Sequence, residues 1–238
     1  MQRRFSSQGA IVVFSFLIGF WAVSASSSGG PREPVTLRTL YGLTPPARLR
    51  ASHTAVVLVD FQREFISGKL PLPGASRAIE RAGELSAWAR RTGVLVVLVR
   101  NVVTRAGSPL FTPGAPTTDF VPELAPQASD LVVQKSMVGA FSHTTLDAEL
   151  RARGIDTLIV AGFMTHLAVL ATASDATVLG YHVVVASDAT ATRALPGADG
   201  DAVVTAPVVE RAALAVIADR VADVLPVRAI SALPFAEP

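Results

Sequence analysis

From residue 54 onward, short apolar runs alternate along the chain with longer amphipathic stretches. Runs rich in Val, Ile and Leu predict buried strands, and stretches with apolar residues every three or four positions predict helices. Gly93, Gly154 and Gly180 follow three of these stretches, at the position where helices commonly end. Strands are predicted at residues 54–59, 94–99, 131–134, 157–161, 182–186 and 224–230, and helices at residues 75–92, 145–153, 166–179 and 207–221.

The order of these elements indicates the fold class. Strands that alternate with helices form a parallel sheet that is covered on both faces. We therefore predict an α/β fold with three α/β/α layers and a six-stranded, mainly parallel, Rossmann-like sheet. Pro226 interrupts the last strand and places it at an edge, because proline cannot donate to a sheet ladder. Residues 101–130 are rich in glycine and proline and predict a long irregular excursion, a feature that is often functional.

The N-terminal residues have the three-part pattern of a secretory signal. Arg3 and Arg4 precede an apolar run over residues 10–23, and small residues follow up to Ala25. This run is shorter than the ~20 residues of a spanning helix, so we predict export, with an uncleaved membrane anchor as the alternative. Residues 1–25 are assigned to the signal, residues 26–50 to a linker or N-terminal arm, residues 51–230 to one domain and residues 231–238 to a C-terminal tail.

Composition narrows the partners that this domain is expected to have. Half of the residues are hydrophobic and 17% are charged, which is typical of a folded domain. The formal net charge is +2, and removal of the signal takes away two arginines and no acids. The sequence has no long basic run, so we expect no nucleic-acid partner and, once the signal is removed, no membrane partner. The chain contains no cysteine, which excludes disulfides, thiolate metal sites and a cysteine nucleophile.

Polar residues at the carboxyl ends of the predicted strands are the candidates for chemistry, because ligands bind at that edge of a parallel sheet. Asp60 follows the first strand and Lys135, one of two lysines in the chain, follows the third. A carboxylate and an ammonium that share a cleft shift each other's pKa. The segment 162–166 follows the fourth strand and Asp188 follows the fifth. We expect Asp188 to cap a turn or pair with Arg193 rather than act as a catalytic acid.

The residue at position 168 falls in the first turn of a predicted helix. Backbone N–H groups at such a place lack helical partners and are able to hold an anion or an oxyanion. A cysteine there would have its thiolate stabilised by the helix terminus. The chain has Ala168 instead, which keeps the backbone donors and provides no nucleophile.

In their order along the chain, these residues resemble the isochorismatase-like hydrolases over residues 52–228. Asp60, Gln62 and Phe65 resemble the family's Asp-x-Gln-x-x-Phe, and Lys135 precedes a segment similar to Phe-x-x-Thr-x-Leu. The stretch from Gly162 to Val169 resembles Gly-x-x-Thr-x-x-Cys-Val. The likeness continues through Gly180-Tyr181, Asp188-Ala189-Thr190 and Ala213-Leu214.

The resemblance implies an Asp–Lys–Cys triad that maps to Asp60, Lys135 and Ala168. In amidase members the aspartate takes the thiol proton, the cysteine attacks an amide-like carbonyl, and the lysine supports both. A cis peptide near residues 163–164 is also typical of the family. We expect a small-molecule substrate, no cofactor, no metal and a homo-oligomer. The residues expected to bind the substrate or its oxyanion are Phe65, Phe141, Phe163, Met164, Thr165 and His166.

The alanine at position 168 leaves several functions open. An engineered Cys→Ala change, a natural loss of catalysis and a reaction without a nucleophile would each give this sequence. Isochorismatases themselves have glycine at this position and cleave a vinyl ether with the aspartate as general acid. The Met164-Thr165-His166 run is more similar to the amidase-type members, so a hydrolase scaffold for amide C–N bonds is the first hypothesis. The alternatives are a vinyl-ether hydrolase and a non-catalytic exported binding protein that keeps the pocket.

Overall fold

The computed structural model describes residues 33–198, 200 and 202–236. The predicted signal, residues 1–25, therefore lies outside the described residues. Six strands form one sheet, all of them parallel, in the order β3-β2-β1-β4-β5-β6. This confirms the predicted α/β fold with a six-stranded parallel sheet. The strands are β1 (Thr54–Val59), β2 (Leu95–Asn101), β3 (Leu131–Lys135), β4 (Thr157–Phe163), β5 (His182–Ala191) and β6 (Asp223–Leu225).

Helices cover both faces of the sheet. The longest, α2, follows the short α1 and ends at Gly93, which has a left-handed φ of 75°. A π-helical turn (Thr165–Val169) leads directly into α4, and a second π-helical turn (Ile217–Val221) extends α5. No helix within the described ranges is long and apolar enough to cross a membrane. The helices are α1 (Leu37–Leu40), α2 (Ala75–Thr92), α3 (Leu146–Ala152), α4 (Leu170–Val178), α5 (Ala206–Val216) and α6 (Val227–Ser231).

Alternate residues of the central strand β1 pack into two separate cores. Val56 and Leu58 belong to the core beneath α2 and α6. Ala55, Val57 and Val59 belong to the opposite core, beneath α3, α4 and α5. All six residues of β1 are buried, as expected for a strand that is covered on both faces. This packing holds the carboxyl ends of β1, β2 and β4 in fixed positions.

The last predicted strand is partly wrong. The sequence predicted one strand over residues 224–230, but β6 ends at Leu225 and the helix α6 follows Pro226. The ring of Pro226 suits this place, since a helix start requires no N–H from that residue. The short β6 does lie at the sheet edge, as the proline indicated.

Parts of the predicted arm and tail pack against the domain. Arg38 of α1 forms an ion pair with Asp223, with 2.7 Å between Nη2 and Oδ2. Leu49 is buried, and its N–H donates to the carbonyl of Pro234 at 2.9 Å. The ring of Phe235 stacks on Trp88 with 5.8 Å between centroids. These polar and apolar contacts attach Arg38 and Leu49 of the predicted arm, and Pro234 and Phe235 of the predicted tail, to the rest of the structure.

Candidate active site

Asp60 follows β1 directly, where the chain leaves the sheet. Its backbone is in the left-handed region with φ of 56°, which is unusual for a residue other than glycine. The N–H of Asp60 donates to the carbonyl of Val99 on β2 at 2.8 Å, and its own carbonyl accepts from the N–H of Gln62 at 2.7 Å. These bonds fix a sharp turn that holds the Asp60 side chain at the carboxyl edge of the sheet.

Lys135 reaches the same place from the end of the edge strand β3. Its Nζ lies 2.7 Å from Oδ2 of Asp60. The same ammonium donates to the carbonyls of Met137 and Val138, each at 3.1 Å. Since an ammonium has three donors, these three contacts use all of them. Lys135 is therefore a fixed positive charge beside Asp60.

Burial controls the charge state of this pair. Asp60 is 3% exposed, and desolvation raises its pKa to about 6, although the Lys135 charge and hydrogen bond act in the opposite direction. Oδ1 of Asp60 is buried and has no hydrogen-bond partner among the residues that the structure describes. The carboxyl group therefore has a free oxygen and an affinity for protons suited to proton transfer near neutral pH.

Ala168 lies in the π-helical turn that follows β4 and is 5% exposed. The peptide bond between Phe163 and Met164 is cis, as the family resemblance implied. The carbonyl of Met164 accepts from the N–H groups of Leu167 at 3.0 Å and Val169 at 3.2 Å. Two of the N–H groups expected to be available for an oxyanion are thus already bonded within the turn.

The junction before this turn requires glycine at position 162. Gly162 has φ of 147°, and a Cβ placed there would lie 2.2 Å from the carbonyl oxygen of Val59. Because that neighbour is main chain of β1, it has little room to move. The close approach brings the end of β4, and with it Ala168, towards the end of β1.

A cavity of roughly 380 Å³ joins these groups, since Asp60, Lys135 and Ala168 all line it. Its polar lining is completed by Asn101 and Ser136. The size and the lining suit a small, partly apolar molecule held by a few polar groups. The apolar walls include Phe65, Leu70, Leu110, Phe111, Phe163 and Met164.

Three residues that were expected in the pocket lie elsewhere. Phe141 packs against Tyr181 with 5.8 Å between ring centroids. The Thr165 hydroxyl donates to Oε2 of Glu210 at 2.7 Å, and Nδ1 of His166 is hydrogen-bonded to the hydroxyl of Thr192. These three side chains do not line the cavity, because the π-helical turn and the loop before α3 direct them towards other elements, and their expected role in binding a substrate or its oxyanion stays a prediction. Asp188 lies within β5 and accepts from the N–H of Val227, as expected of a capping residue.

The sequence reasoning missed several lining residues. Asn101 ends β2, and the strand-end rule applied to Asp60 would have identified it. Leu110 and Phe111 come from the irregular excursion, which was expected to be functional without any particular residue being assigned. Met137 and Val138 follow Lys135, and nothing in the apolar pattern singles them out.

Among the described residues, no three His, Asp or Glu side chains are grouped so that they could hold a metal ion.

The chain is an α/β protein with a parallel sheet whose carboxyl edge holds a buried carboxylate–ammonium pair at the wall of a small cavity. The chain belongs to the isochorismatase family, because residues 54–226 match the isochorismatase domain. Family members are hydrolases, and some of them are amidases.

Individual relatives agree with this assignment. The chain is 32% identical to a secreted isochorismatase effector from Verticillium dahliae, over 77% of this chain and 93% of the relative. It is 30% identical to a ureidoacrylate amidohydrolase from Variovorax paradoxus, over 70% of this chain and 81% of the relative. The crystal structure of an isochorismatase from Pseudomonas putida superposes with a TM-score of 0.76 at 35% identity, covering 82% of this chain and 98% of that chain.

Proposed function

We propose that this chain is a small-molecule hydrolase scaffold of the amide-cleaving type, in which the covalent step is lost at position 168. The observation that carries the proposal is that Asp60, Lys135 and Ala168 line one cavity. Two relatives support an amide substrate, since one is a ureidoacrylate amidohydrolase and another an N-carbamoylsarcosine amidase. The present chain then binds an amide in this cavity but does not cleave it through a covalent intermediate.

The reaction that a nucleophile at position 168 would perform follows from the positions of its neighbours. A thiol there gives its proton to the Asp60 carboxylate, and the sulfur attacks the amide carbonyl carbon. The C–N bond breaks as Asp60 returns the proton to the leaving nitrogen, and water then hydrolyses the thioester to the acid. The Lys135 charge keeps Asp60 ionised before the proton moves. With a methyl group at position 168, no bond to the carbonyl carbon forms.

The test is to install the missing group. Ala168→Cys is expected to gain turnover on a panel of small primary and secondary amides, while the unchanged chain shows none. The matched control is Ala171→Cys, because Ala171 is half-buried on the adjoining helix α4 and does not line the cavity. No turnover by a folded Ala168→Cys protein, or equal turnover by the control, contradicts the proposal. Turnover by the unchanged chain contradicts the loss of catalysis.

A second candidate is hydrolysis of a vinyl ether without a nucleophile. It is favoured by the burial that raises the pKa of Asp60 to about 6, since a carboxyl group that retains its proton is able to act as general acid. The relative described as a secreted isochorismatase effector also supports it. This candidate requires the unchanged chain to cleave isochorismate or simpler vinyl ethers and Asp60→Asn to abolish that activity. Ligand binding without any product would instead identify a binding protein.

We also propose that the protein is exported. The signal-like pattern of residues 1–25 and the secreted relative support export, and an uncleaved N-terminal anchor is the alternative. Cell fractionation with an intact-mass measurement distinguishes the two. A shortened chain outside the cytoplasm supports export with cleavage, and a full-length chain in the membrane fraction supports the anchor.

We further propose that the chain forms a homo-oligomer, which light scattering on the purified chain tests.

A further inference from the structure

Residues 136–145 connect β3 to α3, and this β3–α3 loop decides where the Lys135 ammonium lies. Two of the three acceptors of the ammonium are loop carbonyls, those of Met137 and Val138, each 3.1 Å from Nζ. The side chains of Met137 and Val138 are 47% and 45% exposed, so their own burial does little to hold the loop. The loop must therefore be fixed from elsewhere if the charge is to stay beside Asp60.

Helix α4 provides the first anchor. The N–H of Ala140 donates to the hydroxyl oxygen of Thr172 at 3.1 Å, and both residues are fully buried. A buried N–H that lost this acceptor would cost free energy unless the loop moved to find another partner. The Thr172 hydroxyl thus fixes the loop two residues after the Val138 carbonyl.

The second anchor is Asp175, also on α4. A Cβ placed on Gly139 would lie 2.4 Å from Oδ2 of Asp175, so the main chain of the loop packs directly against this carboxylate. The φ of Gly139 is not in the left-handed region, and space rather than backbone conformation therefore requires glycine there. Desolvation raises the pKa of Asp175, while a hydrogen bond from the Ser142 side chain acts in the opposite direction. The Asp175 carboxylate thus contacts the loop at two places.

Both anchors lie on the helical segment that carries position 168. The π-helical turn that contains Ala168 leads directly into α4. Thr172 and Asp175 follow Ala168 at the fourth and seventh positions, which share one face of a helix. One rigid segment therefore sets position 168 directly and the Lys135 ammonium through the loop.

We propose that Thr172 and Asp175 are positioning residues that hold the Lys135 ammonium beside Asp60 by fixing the β3–α3 loop to the helix of position 168. Neither residue lines the cavity, so they act through the loop and not on a ligand. The inference rests on the proposed function for its consequence in turnover, but its test measures the placement of a charge and needs no substrate.

The test measures the pKa of Asp60 by carbon-13 NMR titration of the aspartate carboxyl groups in the full chain, with Asp60→Asn to assign the signal. Lys135 is the charged group that lowers this pKa, so the pKa reports how closely the ammonium is held. Thr172→Val removes the hydroxyl, and we expect the pKa of Asp60 to rise from about 6 to about 7, in the direction set by Lys135→Met. A pKa that is unchanged or lower in a folded Thr172→Val protein overturns the proposal.

Two variants separate positioning from a general loss of stability. Thr172→Ser keeps the hydroxyl and should keep the pKa of Asp60 near 6. Thr177→Val removes another hydroxyl of α4, which donates to the carbonyls of Ala173 at 2.9 Å and Val221 at 2.8 Å rather than to the loop. It should lower the free energy of unfolding without moving the pKa. A raised pKa in Thr172→Ser, or an equal rise in Thr177→Val, contradicts the assigned role.

A change on the loop side tests the second anchor and decides if Thr172→Val does not fold. Gly139→Ala drives a Cβ against Oδ2 of Asp175 and should push the loop away from α4. We expect the pKa of Asp60 to rise in this variant as well, whereas Gly83→Ala, which meets nothing within 4 Å, should leave it unchanged. An unchanged pKa in a folded Gly139→Ala protein removes Asp175 from the proposal, and the whole proposal if Thr172→Val does not fold.

These outcomes are distinguishable from failure of the proposed function. A raised pKa of Asp60 in Thr172→Val, with no turnover by Ala168→Cys, would leave the anchors in place and remove the amidase scaffold. Turnover by Ala168→Cys, with an unchanged pKa in Thr172→Val, would do the reverse.

Discussion

The Lys135 ammonium and the Asp60 carboxylate form a buried ion pair, with 2.7 Å between Nζ and Oδ2, at the carboxyl edge of the sheet. The two side chains come from strands that are not neighbours, because β2 lies between β1 and β3. Lys135 thus bridges across one strand to reach Asp60. The arrangement places a charge pair in the cavity wall, and Oδ1 of Asp60 has no hydrogen-bond partner within the part of the chain that the structure describes.

Removing Lys135 is expected to destabilise the protein in a pH-dependent way. The pKa of Asp60 is about 6 in the folded chain against 3.8 for an unperturbed carboxyl, and loss of the cation raises it further. In the variant, the folded state then holds the Asp60 proton more tightly than the unfolded state does. The free energy of unfolding therefore falls as pH rises from the unfolded pKa, near 3.8, to the raised pKa of Asp60 in the folded variant. At about pH 8 we expect Lys135→Met to cost roughly 3–5 kcal/mol, and clearly less at about pH 5.

Urea unfolding at both pH values measures this difference. The control is Lys69→Met, which removes the other lysine, an exposed side chain whose Nζ donates to the Pro109 carbonyl at 3.0 Å. That variant should lose less than about 1 kcal/mol at either pH. A loss in Lys135→Met that is the same at both pH values contradicts the buried pair.

A side chain at position 162 should disturb the approach of β4 to β1. Gly162→Ala places a Cβ 2.2 Å from the Val59 carbonyl oxygen at a φ that alanine rarely adopts. We expect a loss of at least about 2 kcal/mol in the free energy of unfolding. Gly83→Ala in the middle of α2 meets nothing within 4 Å and should be neutral or stabilising, by up to about 1 kcal/mol. Similar effects of the two substitutions in urea unfolding would argue against the close contact.

Glu210 links three elements beneath the turn that carries Ala168. Its carboxylate accepts from the Thr165 hydroxyl at 2.7 Å and from the Thr190 hydroxyl at 2.8 Å. Glu210→Ala leaves the buried Thr165 hydroxyl without this acceptor, and hydrogen bonds to a charged group are worth ~1.5–3 kcal/mol each. We therefore expect a loss of about 3 kcal/mol in thermal or urea unfolding. Glu80→Ala, on the exposed face of α2, is the control, and an equal loss in both variants would exclude this linking role.

The apolar pattern was sufficient to predict the sheet and the place of the ion pair. Strands such as β1 are buried on both faces, so they are continuous apolar runs that end where the chain leaves the sheet. Parallel strands share one carboxyl edge, and this alone brought Asp60 and Lys135 to a common region. The same rule would have identified Asn101, which follows an equally apolar run.

Side-chain direction could not be predicted in this way. Phe141 and His166 lie near the right elements, but a loop and a π-helical turn decide which way each side chain points. The end of the chain after Pro226 shows a related limit. Three apolar residues at a strand end are equally suited to a short helix, and the structure forms α6 there.

The pH dependence of turnover by Ala168→Cys tests the central claim most directly. The chain has no other cysteine, so alkylation of the thiol reports on position 168 alone and verifies that it is present and reactive. Asp60 must be ionised to take the thiol proton, so kcat/KM on a cleaved amide should rise with pH and level off above about 6. Adding Asp60→Asn to the Ala168→Cys variant should remove both the activity and this rise of kcat/KM with pH. Turnover that is unchanged by Asp60→Asn, or that falls as pH rises through this range, would contradict the account.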